Sequence, residues 1–130
     1  MENQNTDVGI VQGTEMMTHP ELVQALCKDG RTILSQMTSR DAHLIHMVLG
    51  ISGEAGELLD AIKKSVIYLR PLDIPNIIEE LGDLEFYMEG LRERLNITRE
   101  QVLQDNINKL TIRYGKMYSD KSANERKDKQ

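Results

Sequence analysis

The chain has 130 residues, a single cysteine, no tryptophan, 4% aromatic residues and a net charge of −5. That length fits one domain, the scarcity of aromatic and turn residues argues against a β-sandwich, and the negative balance argues against a nucleic-acid binder, which needs a basic face. The lone Cys27 cannot form an internal disulfide, no apolar run approaches the roughly 18 residues of a membrane span, and Met1 to Thr14 lacks a signal-type apolar core, so a cytoplasmic protein with no membrane partner is expected.

Residues 1–17 are polar and aperiodic and read as a flexible N-terminal arm. A short helix is predicted from His19-Pro20-Glu21, capped by Thr18 and stopped at Gly30. A second follows over Arg31 to Met37. Ser39 is placed as the cap of a long helix over about residues 40–68, with an apolar stripe of Leu44, Met47, Val48, Ile51, Ala55, Leu58, Leu59, Ile62 and Val66. Arg70-Pro71-Leu72-Asp73 breaks it. Asp73 caps the next helix, with Pro75 in its first turn and a stripe of Ile74, Ile77, Leu81, Leu84, Met88, Leu91 and Leu95. Asn96 ends that helix, and the Thr98/Gln101 capping-box pattern opens a last one to about Tyr118. Residues 119–130 form a charged tail, which leaves a domain at 18–118.

The fold class is therefore all-α. The two long stripes are narrow, and three substantial helices hide little apolar surface alone. A helical bundle completed by dimerisation is expected, as a homo-oligomer, dimer or tetramer.

The long helices carry a repeated acidic motif, Glu54-Ala55-Gly56-Glu57-Leu58 and Glu80-Leu81-Gly82-Asp83-Leu84. Acids at i and i+3 share a helix face. On a helical wheel Glu57 lies about 60° from Glu54, and Asp83 stands in the same relation to Glu80, so each pair occupies the same edge of its stripe. Packing the stripes together gathers four carboxylates. Such a set of hard oxygen donors suits Mg²⁺, with Mn²⁺ as an alternative. One Glu-x-x-Glu pair is commonplace on solvated helix faces; two matched copies with a central glycine are not. Gly50, Gly53 and Gly56 on one helix, and Gly82 and Gly90 on the other, each cost about 1 kcal/mol against alanine. They suit close approach of a second helix or of a ligand.

These residues resemble the all-α nucleoside triphosphate pyrophosphohydrolases of the MazG-like group. The family pattern is Glu-x-x-Glu, a spacer, then Glu-x-x-Asp, and Glu54, Glu57, Glu80 and Asp83 fit it. Asn106-Ile107-Asn108-Lys109-Leu110 with Arg113-Tyr114 is similar to the family's downstream Asn-x-x-Lys-Leu-x-x-Arg-Tyr segment. The resemblance covers roughly residues 42–118. It implies Mg²⁺-dependent hydrolysis of a (deoxy)nucleoside triphosphate to monophosphate and pyrophosphate, with the four acids as metal ligands and catalytic residues. Glu57 is chosen as the proton acceptor, although spacing does not separate it from Glu54.

A triphosphate also needs cations. Asn106, Lys109 and Arg113 lie within about 60° of one another and form a polar face suited to phosphate oxygens. Lys64 is either a further phosphate ligand or the i, i+4 partner of Asp60. Tyr87, one turn past Asp83, suits stacking on a base or core packing. His46 reads better as structural than as a ligand. A di-iron bundle requires Glu-x-x-His on two helices, and no histidine here stands three residues after a glutamate. The surviving alternative is a non-catalytic helical module that binds a nucleotide or a protein.

Overall fold

A computed structural model describes residues 10–12, 15–115 and 117–129. Two units divide the chain, one up to Met37 and one from Thr38 onward. In the first, Ile10–Gln12 (β1) pairs antiparallel with Glu15–Met17 (β2), Ile10 standing opposite Met17. This pairing falls within the stretch that the sequence reads as an arm; the rest of that stretch lies outside the described residues. Helix α1 covers His19–Leu26 and α2 covers Gly30–Gln36. Gly30 opens α2 rather than closing α1, because the Asp29 carboxylate accepts the Arg31 amide at 2.7 Å and caps the second helix.

The second unit holds α3 (Ser39–Val66), α4 (Ile74–Leu95), α5 (Arg99–Tyr114), α6 (Asp120–Glu125) and a final 3₁₀ turn, Lys127–Lys129. The cap of α3 is Thr38, one residue earlier than expected. Its hydroxyl accepts the Asp41 amide at 3.1 Å while its own amide donates to the Asp41 carboxylate at 2.9 Å, a reciprocal box that Ser39 cannot build with Ala42 three residues on. Asp73 caps α4 as expected, accepting the Asn76 amide at 3.1 Å. Asn96, in the left-handed region, closes α4. Thr98 caps α5 through the Gln101 amide, but α5 stops at Tyr114, where Gly115 turns to a positive φ of 66°. Tyr118 therefore lies beyond the helix.

The fold is all-α around an antiparallel α3–α4 pair. Two glycines set how closely that pair packs. The Tyr87 ring of α4 lies directly on Gly50 of α3, and the Met47 sulfur of α3 lies on Gly90 of α4, each where a side-chain carbon would stand. Gly53, Gly56 and Gly82 face open space.

Among the described residues Met47 and Ala61 are the buried apolar side chains. The inner stripe residues Leu44, Ile51, Leu58, Ile77, Leu84, Met88 and Leu91 are half-buried. Much of the rest is uncovered, including Val48, Leu59 (68% exposed), Ile62, Val66 and Leu81. So long an exposed apolar stripe is unusual for an isolated chain.

The described part of the tail is structured. Arg113 of α5 grips Asp128 through both carboxylate oxygens, at 2.7 Å from Nε and 2.9 Å from a terminal nitrogen. The Asp128 side chain is only 2% exposed. That fork-on-fork pair holds the final turn against α5.

Candidate active site

The antiparallel packing has one register. Met47 meets Gly90 and Gly50 meets Tyr87, and further along Ala61 and Asn76 line one cavity. Between these levels the same register sets Glu54 beside Asp83 and Glu57 beside Glu80. Carboxylate oxygens of Glu54, Glu80 and Asp83 all lie within 4.8 Å of one another, a group that can hold a metal ion. Glu54 and Glu80 are half-buried and Asp83 is exposed. Glu57 is exposed and stands outside this group, one turn along α3, although its charge reaches Glu80.

The cluster is electrostatically uncomfortable by itself. Partial burial between the helices pushes the Glu80 carboxyl above its ordinary range. The charges of Glu54 and Glu57, a hydrogen bond to Glu54 and the charge of Glu79 push the same way. Three oxygen donors converging without a basic side chain among them match the preference of a hard divalent cation. The residues present thus fit such an ion.

Two cavities flank the acids along the α3–α4 pair. Toward the start of α3 lies one of about 560 Å³, lined by His43, Met47, Phe86, Glu89, Gly90, Glu93 and Arg94. Its floor, Met47 and Gly90, is seven residues from Glu54 and Asp83 respectively. That is about 10 Å along each helix and on the same face. Toward the end of α3 lies one of about 350 Å³, lined by Ala61, Lys64, Arg70, Pro71, Asp73 and Asn76.

The other predicted residues are placed as follows. Lys64 pairs with Asp60 at 2.7 Å, as its i, i+4 spacing suggests, and also borders the smaller cavity. That partner raises the Lys64 pKa. Tyr87 is half-buried, packed on Gly50 and edge-on to Phe86 and His46. The uncovered ring beside it is Phe86, 68% exposed. Asn106 and Lys109 lie exposed on α5, and Arg113 is engaged by Asp128. None of these three lines either cavity that flanks the acids.

Three residues that line these cavities, Phe86, Arg70 and Asn76, were not singled out as site residues from the sequence. Phe86 is off the apolar stripe, which was itself a signal, since a large ring on a polar helix face needs a reason. Arg70 was read only as part of a helix break.

An all-α domain with an acidic cluster across two antiparallel helices defines the class: a helical protein whose carboxylates could hold a cation between them. The family model of the MazG nucleotide pyrophosphohydrolase domain matches residues 42–118, and the chain belongs to that family, a group of nucleotide pyrophosphohydrolase-type hydrolases. It is also similar to the "Gene 37 protein" of Mycobacterium phage L5, 34% identical over 76 residues, which cover 54% of this chain and 65% of that protein. No solved structure matches. Among the described residues no helix is long and apolar enough to cross a membrane.

Proposed function

We propose that this chain hydrolyses (deoxy)nucleoside triphosphates to the monophosphate and pyrophosphate in the presence of Mg²⁺, with Mn²⁺ able to replace it. The observation that carries this reading is the convergence of Glu54, Glu80 and Asp83 within 4.8 Å, in a chain of the MazG family. A divalent cation held there supplies positive charge between carboxylates and phosphates and eases deprotonation of water.

The residues of the chain do the rest. Glu54, Glu80 and Asp83 would hold the cation. Glu57, exposed one turn away and outside the group of three, is free to accept the proton of the attacking water. The larger cavity takes the nucleoside, with the base on Phe86 beside Tyr87. Lys64 borders the phosphate end. Asn106, Lys109 and Arg113 are not brought to the acids within this chain. A second copy packed on the exposed stripe of Leu59, Val66 and Leu81 gives them a route there, so the working form is proposed to be a homo-oligomer, dimer or tetramer. Cys27, an exposed free thiol, accords with a reducing, cytoplasmic setting.

The test is direct. Purified protein is incubated with Mg²⁺ and each common NTP and dNTP plus dUTP, and the products are separated by ion exchange. Monophosphate with pyrophosphate supports the reading. Monophosphate with two orthophosphates, or no cleavage with either Mg²⁺ or Mn²⁺, refutes it; Mg²⁺-dependent nucleotide binding without cleavage makes the chain a binding module.

A further inference from the structure

We infer that Arg70, with Lys64 and Asn76, forms the pocket that receives the β- and γ-phosphates and holds the pyrophosphate as it leaves. The inference rests on the function proposed above and gives the substrate a direction along the α3–α4 pair.

Position is the first ground. Ala61 and Asn76, the facing residues of the smaller cavity, lie four residues beyond Glu57 and Glu80. That is one helical turn, about 6 Å along each axis, on the same face. The cavity therefore opens beside the acids, opposite the larger cavity where a base fits. A triphosphate with its α-phosphate at the acids and its base on Phe86 has its remaining phosphates pointing here.

Charge is the second ground. Lys64 and Arg70 both line the cavity and lie near enough for the Arg70 charge to act on Lys64. Two cations facing one hollow are unfavourable without an anion between them. Asp60 answers Lys64. The Asp73 carboxylate also borders the hollow, but it is engaged as the cap of α4 by the Asn76 amide. Arg70 has no acidic partner among the described residues. Its planar fork suits phosphate oxygens, and the Asn76 amide adds a neutral donor.

The turn that presents Arg70 is the third ground. Leu69 adopts a positive φ of 55° while 88% exposed, a left-handed conformation that a leucine seldom takes. It folds the chain back so that the Arg70 amide donates to the Lys64 carbonyl at 3.3 Å. That turn closes the end of α3 in the common left-handed manner, and it sets Arg70 at the cavity.

Calorimetric titration of the full chain with inorganic pyrophosphate and Mg²⁺ tests this, with a nucleoside monophosphate as control. In Arg70→Ala the pyrophosphate affinity should fall about tenfold or more. Monophosphate affinity should be unchanged, and Arg70→Lys, which keeps the charge but loses the fork, should fall between. Pyrophosphate should also become a correspondingly weaker product inhibitor of triphosphate cleavage. Unchanged pyrophosphate affinity in Arg70→Ala, equal loss of both ligands, or no binding to the unsubstituted protein overturns the inference. If pyrophosphate binds through Arg70 yet no triphosphate is cleaved, the pocket stands and the hydrolase reading falls.

Discussion

The α3–α4 pair and the α5–tail region treat their motif residues in opposite ways. On α3–α4 the acids have no cationic partner among the described residues: Glu54, Glu80 and Asp83 converge, and Glu80 is pushed toward protonation. On α5 the motif arginine is already satisfied, because Arg113 holds Asp128 in a fork with both partners largely covered. Charges left in mutual conflict are what the proposed ligand site would show, since folding alone gains nothing from them. A matched pair is complete within the chain. The difference separates a site from a strut, although both carry residues of one family pattern.

The sharpest way to break that contrast is to neutralise the acids. Glu54→Gln, Glu80→Gln and Asp83→Asn should each lower pyrophosphate release by about 10²-fold or more, since even outer partners of a metal site are worth 10–100-fold. Their helical circular dichroism should stay that of the unsubstituted chain. Glu57→Gln should also lose turnover yet keep the rise in melting temperature that Mg²⁺ gives, because Glu57 stands outside the group of three. Loss of the fold in all three cluster variants would show that the acids hold the helices together instead.

Packing provides the next largest effect. A methyl group at Gly50 falls within the Tyr87 ring, and an aromatic ring wedged between two helices cannot yield easily. Gly50→Ala should cost roughly 1–3 kcal/mol in denaturant melts. Gly90→Ala should cost less, since the obstacle is the flexible Met47 thioether. At Gly53, Gly56 and Gly82 nothing is near, and alanine should stabilise a single chain by up to about 1 kcal/mol each. If alanine there destabilises instead and shifts the sedimentation to a smaller species, a second copy packs on those faces.

Arg113 tests the other half of the contrast. If it is a strut, Arg113→Ala and Asp128→Ala should lower the melting temperature equally, and the double variant no further. If it also serves substrate, Arg113→Ala alone should raise KM for the triphosphate, and Asp128→Ala should leave KM unchanged or lower it.

The convergence of Glu54, Glu80 and Asp83 was legible beforehand, because acids at i, i+3 on matched stripe edges come together when the stripes pack; that Glu57 stays outside the group was not. Caps such as Asp73 and Thr98 were legible for the same local reason. The register was not. It is set by which glycine receives which side chain, Tyr87 on Gly50 and Met47 on Gly90, and a wheel does not tell one glycine from another. Nor was the placement of Arg70, which depends on the left-handed turn at Leu69, where neither glycine nor asparagine signals it. The Arg113–Asp128 pair spans fifteen positions and passes through Gly115, so no helical period announces it.

The smallest effect is the most telling about why the acids are there. The folded-state pKa of Glu80 lies above its ordinary 4.5, so the folded chain binds that proton more tightly than the unfolded chain. By linkage, stability from this group is full below about 4.5 and is lost as pH rises through the raised value. At neutral pH the ionised Glu80 of the metal-free chain opposes folding. Glu80→Gln removes the charge for good. The metal-free variant should melt slightly higher than the parent at neutral pH, its melting temperature should depend less on pH above 4.5, and added Mg²⁺ should raise it less. The parent should show the reverse pattern, weak when bare and strengthened by Mg²⁺. A Glu80→Gln variant that melts lower than the parent without metal would place Glu80 among the fold's supports, and the acids would then resemble Arg113 and Asp128 rather than contrast with them.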